Sequence, residues 1–175
     1  MHNSKPNNSK YNSGNYIPVN KDKVIRFNKD GGVYYRSGWE RIIMKYLDAK
    51  PEIIKWGAEC ISIPYQMQHF ENGMSVIKNH TYYSDFYYEI KSGDNIDCVV
   101  VEVKPKKEYN MAIALKEGKL SVPDAGGVKK LKNFEYDVKM AYKNLNKWET
   151  IIKFCNKKGY KFIIITEDHL KKFNV

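Results

Sequence analysis

Apolar residues recur along this chain at two spacings, and the switches between them divide it into elements. Trp39, Ile42, Ile43, Tyr46 and Leu47 fall three and four apart, which predicts a helix running to Asp48. Ser37 and Glu40 open it with capping-box spacing. Pro51 follows, and residues 51–56 read as a turn or a short helical piece. Residues 60–65 (CISIPY) read as a strand whose Pro64 places its end near a sheet edge. Residues 69–79 read as a loop or hairpin tip. Two β-type runs then face each other. The first, 81–90, is aromatic and β-branched with Asp85 in its middle. The second, 97–103, is almost continuously apolar, as expected of a strand covered on both faces. Ser92, Gly93, Asp94 and Asn95 form the hairpin turn between them.

Beyond this hairpin, residues 108–127 carry Pro123, Gly126 and Gly127 and show no sustained period, so they are read as partly helical at most. From Leu131 the helical spacing returns through Phe134, Val138, Tyr142, Leu145, Trp148, Ile152 and Cys155, and Gly159 closes the helix. Residues 160–165 (YKFIII) predict a buried strand and 167–173 a short terminal helix. The order is α-β-β-β-α-β, an α/β chain with a mixed sheet flanked by helices. Residues 1–30 are rich in Asn, Ser and Lys and cannot form a core. They read as a basic arm ahead of one domain over 31–175, with 16–27 apolar enough to dock on it.

Composition narrows the class of partner. Thirty basic residues against 20 acidic ones give a formal net charge of +10. That balance favours a polyanion, nucleic acid before an anionic membrane surface. No apolar run approaches spanning length and the N-terminus lacks a signal-peptide core, so the expectation is a protein kept inside the cell, with no membrane partner. Cys60, Cys98 and Cys155 lie far apart in apolar surroundings without zinc-ligand spacing, and read as reduced core thiols. Trp39, Trp56 and Trp148 read as core.

The hairpin carries the candidate chemistry. Period-two alternation puts Glu102 and Lys104 on one face of the second strand, with Cys98 and Val100. A carboxylate and an amine at the end of an apolar strand are costly unless compensated. Asp85 on the neighbouring strand, together with a hard divalent cation, would compensate them. Asp…Glu-x-Lys, here Asp85 and Glu102-Val103-Lys104, is the mark of a large nuclease class, though alone it is weak; a strand-end ion pair explains it equally well. Glu89 and Asp97 are rival acids. Glu167 and Asp168 read as acids at the start of the last helix.

Together with that element order, Asp85 and Glu102-x-Lys104 resemble the PD-(D/E)XK, or restriction-endonuclease-like, superfamily. YRSGWERIIMKYLDAKPEIIKWGAECISIPY at residues 35–65, EVKPKKE at 102–108, KFIIITEDHL at 161–170 and Trp148 in NKW resemble the head completion nucleases of tailed myophages. The resemblance implies a restriction-endonuclease-like core and a virion-associated DNA endonuclease acting on packaged double-stranded DNA before tail joining. It implies head or neck proteins as partners, and the host cytoplasm followed by the virion head or neck as location. It also implies Mg²⁺, with Mn²⁺ able to substitute, held by Asp85, Glu102 and the Val103 carbonyl, while Lys104 orients water or stabilises charge. Transposon-encoded endonucleases of this fold keep a Glu on the first helix, which matches Glu40 and makes it a ligand or water-positioner rather than only a cap. Arg36, His80, Lys106 and Lys107 are candidate DNA contacts, each with a plain solvated alternative. Ser84 departs from the Pro that often precedes the aspartate. A noncatalytic virion protein of the same fold and a resolvase- or transposase-type nuclease are the alternatives.

Overall fold

The computed structural model describes residues 12–71, 73–122 and 127–173, so residues 1–11 of the arm and Pro123 and Gly126 of the irregular stretch lie outside the described residues. Strands β1 (Gly14–Tyr16) and β2 (Val33–Tyr35) form a small antiparallel pair that leads into α1 (Gly38–Ala49). The central sheet runs β3 (Ile53–Ala58), β6 (Phe86–Ser92), β7 (Asn95–Val103) and β8 (Lys161–Ile165), with β7 and β8 parallel and the other pairs antiparallel. Strands β4 (Ser62–Glu71) and β5 (Met74–Tyr83) make a separate hairpin. Helices α2 (Lys106–Lys116), α3 (Gly127–Lys158) and α4 (Glu167–Leu170) complete the chain. Taken as α1, β3, β6, β7, α3 and β8, the core is the expected α-β-β-β-α-β mixed sheet between helices.

Alternation along β7 sorts its side chains into two cores. Val99 and Val101 join Phe86, Ile43, Met44 and Leu47 under α1, whereas Val100 packs with Tyr82, Tyr87, Ile151 and Cys155 under α3 and the hairpin. Each such fully buried aliphatic or aromatic side chain contributes about 1.5–3 kcal/mol. That surplus lets the strand end in buried charge.

Several boundaries differ from those read off the sequence. Of residues 51–56 only Pro51 and Glu52 form the expected turn. Ile53–Ala58 is a strand, because it pairs along β6 and buries Ile53, Trp56 and Gly57. The run 60–65 is instead the start of the hairpin, and most of 69–79 is strand rather than tip. The run 81–90 is two strands. Between them the Ser84 N–H donates to the Ile61 carbonyl and the Glu59 N–H to the Asp85 carbonyl as the chain passes from hairpin to sheet. Residues 106–116 form a regular helix whose apolar contact on α3 is short and centred on the small, fully buried Ala112, which leaves little periodic signal. Strand β8 is an edge strand, not a buried one: Lys161 and Ile163 are exposed and only Ile165 is buried. The terminal helix is a single turn.

The segment ahead of β2 is tied to the back of α1 by Asp48, which sequence reasoning took only as the helix end. Its buried carboxylate accepts the Tyr16 hydroxyl at 2.8 Å and the N–H groups of Val19 and Asn20 at 2.7 and 3.0 Å. Three donors satisfy a charge that would otherwise be expensive to bury. Val24 then buries its side chain and pairs with Trp56, and the Ile25 N–H donates to the Trp56 carbonyl. Residues 16–25 are therefore part of the packed structure.

Candidate active site

The site forms where β7 ends. Glu102 follows Val100 and Val101, both fully buried, and is itself only 2% exposed. One of its carboxylate oxygens accepts the Tyr82 hydroxyl at 2.5 Å, and the other pairs with the Lys104 ammonium at 3.0 Å. Asp85 reaches the same place from the start of β6, where its Oδ2 accepts the Val103 N–H at 2.6 Å. The strand break at Ser84–Asp85 aims this carboxylate across the sheet at β7. Ser84 is buried, and its N–H bond to Ile61 is one that a proline could not make.

Electrostatics follow from crowding. Burial and the Glu102 carboxylate push the Asp85 carboxyl from its usual value up to about 7, against the downward pull of Lys104 and the Val103 N–H. Glu40 adds a smaller upward push. For Lys104 burial favours the neutral amine, but Glu102 and Asp85 outweigh it and hold the ammonium above its ordinary value. Tyr82 is raised far above the ordinary phenol range by burial and by the charge of Glu102, so it stays a hydroxyl donor. Two carboxylates held near each other in desolvated surroundings, with one ammonium paired to Glu102, leave room for more positive charge.

Glu40 sits in the first turn of α1 and lines the same cleft as Asp85, an open volume of about 620 Å³ whose wall includes Arg26, Lys29, Arg36 and Glu59. Its carboxylate is engaged locally. Oε2 accepts the Arg36 N–H at 2.8 Å, Oε1 the Ser37 hydroxyl at 3.0 Å, and the Glu40 N–H donates to the Ser37 Oγ at 3.2 Å. The expected capping box is thus shifted by one donor, to Arg36 instead of the Ser37 N–H. Arg36 itself pairs with Glu59 at 2.7 Å on the rim.

The remaining sequence candidates lie elsewhere or are occupied by partners. The Lys106 ammonium pairs with Asp168 at 2.6 Å, its N–H donates to Glu167, and Lys107 pairs with Asp137 at 2.6 Å. Glu167 and Asp168 thus hold the start of α2 as well as opening α4, which Thr166 and His169 cap. His80 lies on the hairpin, 2.9 Å from His69 through ring nitrogens and stacked on Tyr65. Glu89 accepts the Tyr87 hydroxyl, and Asp97 pairs with Lys161 five residues before Glu102, about 16 Å back along the strand. Cys60, Cys98 and Cys155 are free thiols.

Two neighbours of the site were not singled out from sequence. Tyr82 is one. The other is Lys147, half-buried on α3, whose ammonium lies 5.8 Å from the centre of the Tyr82 ring. Burial lowers its pKa, Glu102 opposes this, and Lys104 and Lys143 lower it further. A lysine on a lysine-rich helix gives no sequence signal of such a position.

An Asp, a Glu and a Lys at the end of paired strands, on a sheet of this order, define a restriction-endonuclease-like nuclease domain. Residues 50–167 match the TnsA-like endonuclease N-terminal family, and the chain belongs to it. It is also similar to the head completion nuclease of Enterobacteria phage T4, being 33% identical over 159 residues, 91% of this chain and 93% of that protein. No helix among the described residues is long and apolar enough to cross a membrane.

Proposed function

We propose that this chain is a divalent-metal-dependent DNA endonuclease of the head completion type, cleaving packaged double-stranded DNA before tail joining. The observation that carries the reading is the meeting of Asp85, Glu102 and Lys104 at the end of β7, with Lys104 3.0 Å from Glu102. Among the described residues no group of three or more His, Cys, Asp or Glu side chains could hold a metal, so the protein would offer Asp85 and Glu102, with the Val103 carbonyl beside them. That all-oxygen set suits Mg²⁺ or Mn²⁺, ions that keep several waters, and the raised Asp85 pKa marks a site short of positive charge. When bound, such a cation polarises the phosphodiester and acidifies a nearby water.

The chain's own groups then divide the work. Lys104 is held protonated by its two carboxylate neighbours, so it serves by donating hydrogen bonds to the developing phosphorane charge rather than by taking a proton. Tyr82 and Lys104 together fix the orientation of the Glu102 carboxylate. Glu40, freed from Arg36 and Ser37, reaches into the cleft to position the attacking water. Arg36, Lys106 and Lys107 flank the path as phosphate contacts, the two lysines after exchanging their acidic partners. His80 is placed farther out, on the hairpin.

A transposase-type role would fit the family match on residues 50–167 alone. Agreement along 93% of a head completion nuclease favours the phage-assembly reading, with head or neck proteins as partners and the virion head or neck as location. The test is nicking of supercoiled plasmid by purified protein. Activity is expected with Mg²⁺ or Mn²⁺, none in EDTA, and a loss of about a thousandfold for Glu102→Gln. Full cleavage in chelator would sink the metal mechanism. Inactivity with every divalent ion would leave a noncatalytic virion protein of the same fold.

A further inference from the structure

The cleft beside Asp85 carries more than acids. Phe27, Tyr34 and Tyr83 all line it, and they are 38%, 54% and 55% exposed. Each comes from a different part of the chain: the loop after the N-terminal strap, β2, and the end of β5. Solvent-facing aromatic rings at three separate positions gain nothing for the core, yet here they converge on one concavity. Arg26 and Lys29 stand on the same wall, and neither makes an ion pair among the described residues. Glu40, Glu59 and Asp85 are the opposing charges, and Glu59 is already paired with Arg36.

Cations that follow a phosphate backbone, interleaved with rings on which bases stack, are what proteins use to bind unpaired nucleic acid. Size points the same way. At about 620 Å³ the cleft falls in the range that holds a small molecule, whereas duplexes are bound across broad surfaces. It has space for a nucleotide or two, not for a helix.

We propose that this cleft binds unpaired nucleotides, with bases stacking on Phe27, Tyr34 and Tyr83 and phosphates lying against Arg26 and Lys29. The proposal rests on the endonuclease reading of Asp85 and narrows it. The favoured DNA carries a single-stranded tail or flap, and the strand is led over Tyr83 to the neighbouring Asp85.

The test uses the full chain in EDTA, so that binding is read without cleavage. Fluorescence anisotropy compares a blunt duplex with the same duplex bearing a short single-stranded tail. The tailed probe should bind at least about tenfold tighter, and Phe27→Ala, Tyr34→Ala and Tyr83→Ala should each cost it fivefold or more while sparing the blunt probe. Tyr83→Phe keeps the ring and should keep the affinity, which separates stacking from a disturbed fold. Equal binding of both probes, or equal losses on both, would overturn the proposal. Plasmid nicking with Mg²⁺ and Mn²⁺ is scored separately. Nicking without tail preference removes this inference and leaves the endonuclease reading. Tail preference without nicking does the reverse.

Discussion

The buried floor of the site, at the end of β7, and the rim of the cleft beside it hold their charges by opposite means. On the floor, Glu102 is 2% exposed and Lys104's side chain 20%, and each is fixed by a partner that the sheet or hairpin positions. On the rim, Arg36 and Glu59 pair with side chains 68% and 46% exposed, a geometry worth at most about 1 kcal/mol. Glu40 stands between the two, capping α1 yet close enough to raise Asp85. Buried charge can be kept only where the surroundings pin it, so the floor is preorganised. The rim can exchange partners when a substrate arrives. On the proposed mechanism, groups that must meet developing charge without delay therefore belong below, and groups that must release one partner for another belong above.

The sharpest way to break this comparison is at Glu40. Glu40→Gln can still accept from the Arg36 N–H, so stability should hardly change. It brings no charge to the cleft, and loss of a transition-state interaction of about 3–4 kcal/mol lowers cleavage a few hundredfold. Wild-type cleavage by this variant would place Glu40 wholly on the rim, as a cap.

The next effect is on stability. An Asp85 carboxyl raised to about 7 is easier to ionise in the unfolded chain than in the folded one. Its contribution is full below the ordinary carboxylate pKa and is lost as pH rises through about 7. In chelator, Asp85→Asn should therefore be more stable than wild type at pH 8, by on the order of 4 kcal/mol, with the gap closing towards pH 4. Denaturant midpoints across that range read it. A gap that does not vary with pH would mean that burial and Glu102 do not raise Asp85. The smallest effect is at the helix cap: Ser37→Ala should cost about 1 kcal/mol in urea unfolding while cleavage stays near wild type.

Much of the floor was legible in the sequence, because it is written in local rules. The apolar run of β7 forces its terminal Glu102 and Lys104 to one face, and Gly93 takes the positive φ of 61° that the tight turn after Ser92 requires. What surrounds the floor is set by long-range pairing, and there the signal fails. Ile53–Ala58 becomes a strand only because β6 lies beside it. The 81–90 run looks continuous because both halves are aromatic, and the break at Ser84 depends on the Ile61 carbonyl more than twenty residues away in sequence. Tyr82 and Lys147 reach the site from the hairpin and α3, and nothing local marks either one. Asp48 looked like an ordinary helix-end acid because the donors that bury it lie 28 to 32 residues earlier.

Asp48 also determines how the cleft can move. Helix α1, at 12 residues about 18 Å long, carries Glu40 at its front end and holds the strap of residues 16–20 at its back end. The chain between strap and helix, including Arg26 and Lys29, spans the helix as a string spans a bow, stitched midway to Trp56. One wall of the cleft is thus tied to both ends of a single helix, whereas Glu59, Tyr83 and Asp85 on its lining come from the ends of β3, β5 and β6. Under the endonuclease reading, the Asp48 tether therefore sets where the nucleic-acid-facing wall stands, from the far end of the helix that carries Glu40.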